Sequence, residues 1–255
     1  MNKATVNGIS LAYDRRGKGS PLLLVHGFPL DRSCWEPFLP YLESNFDLIS
    51  PDLRGFGSSD AVKDEFSLEQ MADDLAVLLD VLNIQNIFIV GHSMGGYVSL
   101  AFAHAHPERV LGLGLLGSQA APDSAERKAG RYASAEKVAL NGVNEVVGMA
   151  EKLSATPKLI PYFRNIILHQ RPEGIIGGLK AMAGRPDATT FLPSFKFPVV
   201  LVHGQEDALI PPERSREMKV LLPQAELTVL SGVGHSTMLE SPAETSQALL
   251  KLINQ

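Results

Sequence analysis

The hydrophobic pattern changes between two periods along most of the chain. Short continuous runs of apolar, often β-branched residues are typical of strands buried on both faces of a parallel sheet, and most are followed by segments with the 3.6-residue spacing of helices. The runs cover residues 22–25, 46–49, 87–90, 110–116, 199–202 and 227–230. This order predicts an α/β fold with a doubly wound, mostly parallel sheet and helices on both of its faces.

Other local signals add detail to this pattern. Residues 4–6 and 9–14 alternate around Asn7-Gly8, a dipeptide that favours a tight hairpin turn. The apolar spacing around Trp35 predicts a helix over residues 33–43, and residues 240–253 should form a closing helix. Ser67 followed by Gln70 indicates a capping box at the start of another helix.

The strand signal disappears between residues 119 and 193. Four helical segments separated by glycine and proline replace it, at residues 125–140, 142–153, 158–169 and 174–182. A helical block inserted in a doubly wound sheet is most simply a cap over the carboxyl edge, where ligands bind in such folds. We therefore expect a core formed by residues 1–118 and 194–255 and a helical cap formed by residues 119–193.

One strand-to-helix junction carries a chemical signal. The apolar run 87–90 leads into Gly91-His92-Ser93-Met94-Gly95 and then into a helical pattern. A serine alcohol needs a base and nearby N–H donors to act as a nucleophile, and a sharp turn between strand and helix exposes it to both. The context favours Ser93 as a nucleophile over a chance occurrence of the short motif.

Several motifs in the same order resemble the α/β-hydrolase family over nearly the whole chain. They are His26-Gly27-Phe28-Pro29, Pro51-Asp52-Leu53-Arg54-Gly55, the segment 91–96, the segment 204–207 and Gly234-His235. Within the family the chain looks like small capped esterases, enol-lactone hydrolases and cofactor-free perhydrolases. The resemblance implies a triad in the chain order serine, acid, histidine.

The base and the acid follow from this order. His235 comes after the last strand on a glycine-flanked loop, from which its ring can reach the Ser93 proton. Asp207, after the preceding strand, is the expected acid that orients the ring. The adjacent Glu206 is the alternative, although side chains one residue apart cannot both point at the same ring.

An oxyanion formed on attack needs two backbone N–H donors. Met94 follows the nucleophile at the start of the helix, and Phe28 matches the position of the family's second donor. Both roles belong to the backbone. A plain core aromatic is the alternative role for Phe28.

The composition of the chain limits the classes of molecule that it can bind. The chain has 255 residues, is 45% hydrophobic and carries a net charge of -5, with 23 basic and 28 acidic residues dispersed along it. We therefore expect a small-molecule partner, with no nucleic acid and no membrane. No cofactor fingerprint or metal-ligand spacing is present, and the single Cys34, together with the lack of a leader pattern, favours a cytoplasmic location.

These observations predict a carboxylic ester hydrolase, either a carboxylesterase or a lactonase, acting through an acyl-enzyme. Family members that carry aspartate at the nucleophile open epoxides or displace halide, whereas this chain has Ser93 there. Alternatives are a perhydrolase or C–C hydrolase, a lyase acting on a cyanohydrin, and a small-molecule receptor or signalling protein on the same fold, because a fold does not fix a function.

Overall fold

The computed structural model describes residues 1–253, which are organised around an eight-stranded sheet. Its strands are β1 (Asn2–Val6), β2 (Ile9–Gly17), β3 (Ser20–Val25), β4 (Phe46–Pro51), β5 (Ile87–His92), β6 (Val110–Leu116), β7 (Val199–Gly204) and β8 (Glu226–Leu230). Their spatial order is β1-β2-β4-β3-β5-β6-β7-β8. Only β1–β2 and β2–β4 pair antiparallel, and the other pairs are parallel. The predicted mostly parallel sheet is thus confirmed.

The antiparallel edge begins with the expected hairpin. Val6 pairs with Ile9 across Asn7 and Gly8, whose φ angles are +46° and +80°. Positive φ at both central positions gives the turn a twist that matches the strands, and glycine and asparagine tolerate it best.

Helices cover both faces of the sheet, as the periodicity predicted. Gly114 and Leu115 are consecutive in β6, so they point to opposite faces. Leu249 of the helix Pro242–Leu250 lies beside Gly114, whereas Gly96 of the helix Met94–Ala105 lies beside Leu115. We number the helices α1 (Leu68–Val81), α2 (Met94–Ala105), α3 (Ala125–Asn141), α4 (Ile160–Leu168), α5 (Pro172–Gly184), α6 (Glu213–Leu221), α7 (Thr237–Glu240) and α8 (Pro242–Leu250).

Some helix boundaries follow directly from local chemistry. The Ser67 side chain accepts the Gln70 N–H while the Gln70 side chain accepts the Ser67 N–H, so the predicted capping box at the start of α1 is confirmed. The predicted closing helix is instead divided into α7 and α8 with a short 3₁₀ turn, Lys251–Ile253. The division falls at Ser241, which precedes Pro242 and is not helical, because proline disfavours a helical conformation in the residue before it.

The predicted helix over residues 33–43 is wrong. The chain forms two short 3₁₀ segments there, Arg32–Trp35 and Leu39–Tyr41. Pro37 and Pro40 each lack a backbone N–H, so a continuous α-helical ladder cannot form. The apolar spacing was still informative, because Trp35, Phe38 and Leu42 are fully buried.

The segment between β6 and β7 contains the helices α3, α4 and α5 and no strand. Residues 142–153 form a 3₁₀ helix, Val143–Glu151, instead of the predicted α-helix. Paired β-branched valines and Gly148 lower the α-helical propensity there. Helices α3 and α5 pack against each other. The assignment of residues 119–193 to a separate cap domain stays a prediction.

Candidate active site

Ser93 lies between β5 and α2 in a strained backbone conformation. Its φ of +53° and ψ of −115° are unusual for a residue with a Cβ, a strain of about 1–3 kcal/mol that a packed fold has to hold. The surrounding glycines make the turn possible. A Cβ on Gly91 would collide with the backbone of Gly95, and one on Gly95 would lie 2.6 Å from the His26 carbonyl oxygen.

Neighbouring strands hold this turn in place. The Ser93 N–H donates to the Leu116 carbonyl at 2.9 Å, and the Ser118 hydroxyl donates to the Ser93 carbonyl at 2.9 Å. Both partners come from the end of β6 or just after it. The Ser93 side chain is half-buried, so a small molecule can still reach it.

His235 and Asp207 form a direct, fully buried pair. His235 Nδ1 lies 2.7 Å from Asp207 Oδ2, and both side chains are 0% exposed. His235 Nε2, on the other side of the ring, is buried and has no hydrogen-bond partner within residues 1–253. An imidazole that donates through Nδ1 to a carboxylate keeps Nε2 as a free acceptor.

Asp207 is held as a carboxylate. Its Oδ1 accepts the N–H groups of Leu209 at 2.8 Å and Ile210 at 2.9 Å, and Oδ2 lies 3.2 Å from His203 Nε2. Burial alone would raise the pKa of this carboxyl, but the charge on His235 and the hydrogen bonds from His203 and the backbone outweigh it and bring the pKa well below its usual range.

The third member of the predicted triad, Ser93, lies at the same edge of the sheet as this pair. Within the described residues the Ser93 hydroxyl makes no hydrogen bond to His235. His92, directly before Ser93, contacts the loop that carries His235. Its Nε2 donates to the His235 carbonyl at 3.2 Å, and the centroids of the two rings are 4.8 Å apart. Burial, with help from the charge of His235, lowers the pKa of His92 to about 3, so this ring is neutral near pH 7. The sheet thus brings Ser93 to the same edge as the Asp207–His235 pair.

The two predicted oxyanion donors also lie at this edge. Met94 starts α2 and Phe28 follows β3, the strand next to β5. Within residues 1–253, neither backbone N–H has an acceptor in the chain. Most buried N–H groups are paired, and two unpaired ones beside a serine have the chemistry needed to stabilise a developing negative charge.

The remaining strand-end histidines have structural partners. His26 Nε2 accepts the Leu53 N–H at 3.0 Å, so its proton sits on Nδ1, which faces the Gly27 carbonyl at 3.0 Å. Burial lowers its pKa. His203 Nδ1 is 2.6 Å from the Ser215 hydroxyl. Both rings tie loops together. Cys34 is buried, and burial raises its pKa well above its usual value.

Sequence reasoning missed two residues that shape the loop around His235. Gly117, with φ of +51°, leaves room for the buried pair: a Cβ there would lie 2.7 Å from the His235 carbonyl oxygen and 3.2 Å from Nδ1. Glu240, at the end of α7, accepts the N–H groups on both sides of His235, from Gly234 at 3.1 Å and Ser236 at 3.2 Å. Gly117 follows a predicted strand, which was a usable signal, whereas nothing local distinguishes Glu240.

Residues 1–253 contain no cluster of three or more histidine, cysteine or acidic side chains arranged for a metal ion. In the same part of the chain, no helix has the length and apolar character needed to cross a membrane.

Comparisons with known proteins agree with this architecture. A family model described as the alpha/beta hydrolase fold matches residues 20–135. The dihydrolipoyllysine-residue acetyltransferase component of the acetoin cleaving system of Pseudomonas putida is 31% identical, over 99% of this chain and 69% of its own length. A solved thermophilic esterase from Thermogutta terrifontis is 37% identical with a TM-score of 0.95, covering 100% of this chain and 98% of its own. The enol-lactonase from Burkholderia xenovorans LB400 shares the fold. It is 24% identical, with a TM-score of 0.92 and complete coverage of both chains.

Proposed function

This chain belongs to the α/β-hydrolase family, and from that premise we propose that it is a serine hydrolase that cleaves small carboxylic esters or lactones, with Ser93, His235 and Asp207 as its triad. The observation that carries the proposal is the buried Asp207–His235 pair, 2.7 Å apart, whose free Nε2 lies at the same sheet edge as the strained Ser93. The 37% identity to an esterase over the whole chain supports the same reaction class.

In the first half of the reaction, Ser93 Oγ attacks the carbonyl carbon of the ester while His235 Nε2 takes the hydroxyl proton. The carbonyl electron pair moves onto oxygen, which the N–H groups of Phe28 and Met94 stabilise. Collapse of this intermediate breaks the bond to the leaving oxygen, and His235 returns the proton to it. For a lactone, the leaving oxygen remains attached to the acyl chain.

In the second half, water attacks the acyl carbon while His235 again removes a proton, and collapse releases the acid and restores Ser93. Asp207 stabilises the imidazolium in both halves without becoming protonated. Its lowered pKa favours the ionised form. The Ser93–His235 hydrogen bond forms in this mechanism when substrate binds, because catalytic hydrogen bonds often tighten only in the substrate complex.

The surroundings of Phe28 support a preference for small substrates. Its ring meets Phe56 edge-on at 6.3 Å and lies 3.2 Å from the position that a Cβ on Gly178 would occupy in α5. An open groove of about 520 Å³ begins at Phe28. Its walls include Arg127, Arg131, Met149 and Leu179. We propose short to medium acyl esters or small lactones as substrates, in preference to long-chain lipids.

Turnover of an aryl acetate tests the proposal. We expect steady release of the phenol, and a fall of at least 10³-fold in kcat for Ser93→Ala, because the triad acts as a unit. Ser246→Ala is the matched control, since within residues 1–253 this hydroxyl bonds only to the Ala243 carbonyl in α8. A chain-length series and a panel of lactones then define the substrate class.

Three outcomes would count against the proposal. Undiminished turnover in Ser93→Ala would remove the assigned nucleophile. A single covalent event per molecule without turnover would indicate a receptor instead of an enzyme. A long-chain triglyceride as the best substrate would refute the size preference while leaving the triad intact.

A further inference from the structure

Three arginine side chains between β6 and β7 gather around one carboxylate. Asp123, whose side chain is 1% exposed, lies 2.9 Å from Arg185 Nη2, 3.4 Å from Arg127 Nε and 2.5 Å from Arg131 Nε. Burial would raise the pKa of Asp123, but the hydrogen bonds and charges of Arg185 and Arg131 outweigh it and lower the pKa. One carboxylate balances one guanidinium, so these four residues, which we call the arginine cluster, carry an excess of positive charge.

Much of this excess charge is shielded from water. The side chains of Arg185 and Arg131 are only 4% and 12% exposed, whereas that of Arg127 is 38% exposed. A cation that is shielded from water without a counter-charge is costly. The chain itself supplies too few carboxylates to balance the cluster, so the cluster would stabilise an anion taken from solution.

Two of the arginines line the open groove that begins at Phe28. Residues 127, 130, 131 and 134 of α3 form one wall of this groove, with the i, i+3, i+4 and i+7 spacing of a single helix face. Three apolar side chains from other segments complete the lining, those of Phe28, Met149 and Leu179. A ligand that has an anionic group on a short apolar chain would match both parts of the groove.

Arg131 has hydrogen-bonding capacity to spare. It donates through Nε to Asp123 and through Nη1 to the sulfur of Met182, which is a weak acceptor. Its Nη2 has no acceptor within residues 1–253 and is not sealed off by packing. The planar guanidinium is therefore able to donate to an anion in the groove while it stays fixed to Asp123.

The same groove reaches the neighbourhood of the candidate active site. Phe28 carries one of the two proposed oxyanion donors. Arg127 Nη2 donates to the Leu209 carbonyl at 3.2 Å, and the Leu209 N–H donates to Asp207 Oδ1 at 2.8 Å. Leu209 and Asp207 are two residues apart, which is a span of at most about 7 Å. The arginine cluster is thus close enough to the triad for one small molecule to extend between them.

We propose that Arg131, assisted by Arg127, determines specificity by binding a free carboxylate of the substrate. This inference rests on the proposed hydrolase function and narrows it to esters or lactones that carry a second, ionised carboxyl group. A carboxylate suits the site because the planar guanidinium fork matches its two oxygens. Glu126, which is exposed in the same groove, disfavours anions of higher charge. Arg185 shares Asp123, so that carboxylate does not cancel the charge of Arg131.

Hydrolysis of half-esters and their neutral counterparts tests this specificity. The probes are the monomethyl esters of succinate, glutarate and adipate, each compared with its dimethyl ester. The best half-ester should have a KM at least about 10-fold below that of its dimethyl ester, and Arg131→Gln should raise this KM by about 10- to 100-fold, because hydrogen bonds between charged groups are lost. Turnover of the dimethyl ester should be unchanged. Arg131→Lys should give an intermediate KM, since it keeps the charge and loses the planar fork.

The controls separate binding from folding and from net charge. Asp123 keeps Arg127 and Arg185 in Arg131→Gln, so the fold should persist. Lys137→Gln removes the same charge from an exposed position of α3 outside the groove and should change neither KM. If Arg131→Gln does not fold, sodium chloride decides in the parent protein, because screening should raise the KM of the half-ester alone.

Four results would overturn the inference. They are equal KM values for the half-ester and its dimethyl ester, an equal loss for both esters in Arg131→Gln, an equal loss in Lys137→Gln, and a half-ester KM that salt leaves unchanged.

Binding to Ser93→Ala distinguishes this inference from the proposed function. Pentanoate, followed by NMR shifts, should bind this variant through residues of α3 and more tightly than pentan-1-ol, and adding Arg131→Gln should remove the difference. Such binding without turnover of any ester by the parent protein would refute the hydrolase function alone. Turnover of the dimethyl esters with no preference for half-esters, or pentanoate that binds no more tightly than pentan-1-ol, would refute the carboxylate site alone.

Discussion

Replacing Asp207 by asparagine exchanges one carboxylate oxygen for an NH₂ group and should nearly abolish activity. The two sides of this carboxylate are not equivalent, because Oδ1 accepts the N–H groups of Leu209 and Ile210 whereas Oδ2 faces His235 Nδ1 at 2.7 Å. An asparagine has one acceptor oxygen. It should keep that oxygen on the two N–H groups, since turning it around would leave both unpaired at about 1–3 kcal/mol each.

The asparagine NH₂ group then faces His235 Nδ1. A donor at this place forces Nδ1 to accept, so the imidazole proton moves to Nε2, and Nε2 can no longer take the proton of Ser93. The same replacement in a serine protease triad lowers kcat by about 10⁴. We expect a similar loss here, which corresponds to about 5.5 kcal/mol of activation free energy at 1.36 kcal/mol per tenfold.

The assay is kcat/KM for an aryl acetate, with urea unfolding to show that the variant is folded. Glu206→Gln is the matched control, because Glu206 is the adjacent acid, is exposed and was the alternative for the same role. It should stay within a few fold of the parent protein. An Asp207→Asn protein within tenfold of the parent, or a larger loss in Glu206→Gln, would refute the reasoning.

Three other predictions concern the same edge of the sheet. The pKa of His92 is lowered to about 3, whereas a histidine in the unfolded chain titrates near ~6.5, so the unfolded chain binds the additional proton as the pH falls. The free energy of unfolding should therefore decrease by about 2 kcal/mol from pH 8 to pH 5 through this residue. His92→Asn should reduce this pH dependence in urea unfolding, and equal pH dependence in the two proteins would contradict the reasoning. Glu240→Gln places an amide NH₂ donor against N–H groups beside His235 that now donate to the carboxylate. It should lower the free energy of unfolding by about 1–3 kcal/mol and lower kcat several fold. An unchanged melting temperature and unchanged turnover would show that Glu240 does not position the loop. A reactive organophosphonate should add one adduct at Ser93, and peptide mapping that finds it on Cys34, which is buried, would contradict the assigned nucleophile.

The sequence by itself determined the features that depend on near neighbours along the chain. The Asn7-Gly8 turn, the capping box at Ser67 and the strand-turn-helix at Ser93 are set by backbone preferences and hydrogen bonds within a few residues. The parallel pairing of successive α/β units then follows, because a parallel strand needs a crossover, and the carboxyl ends of such strands meet at one edge. These same local rules failed where prolines interrupted an apolar spacing, as at Pro37 and Pro40.

Only the tertiary structure decided the contacts between residues distant in the chain. Glu240 reaches Gly234 and also accepts the Ala155 N–H at 2.9 Å, 85 residues away, which no periodicity could indicate. Asp123 likewise accepts a hydrogen bond from Arg185, 62 residues away, which the local sequence around either residue does not indicate. Hydrogen-bond satisfaction is a property of the packed molecule, since a polar side chain is unpartnered only after every neighbour has been placed.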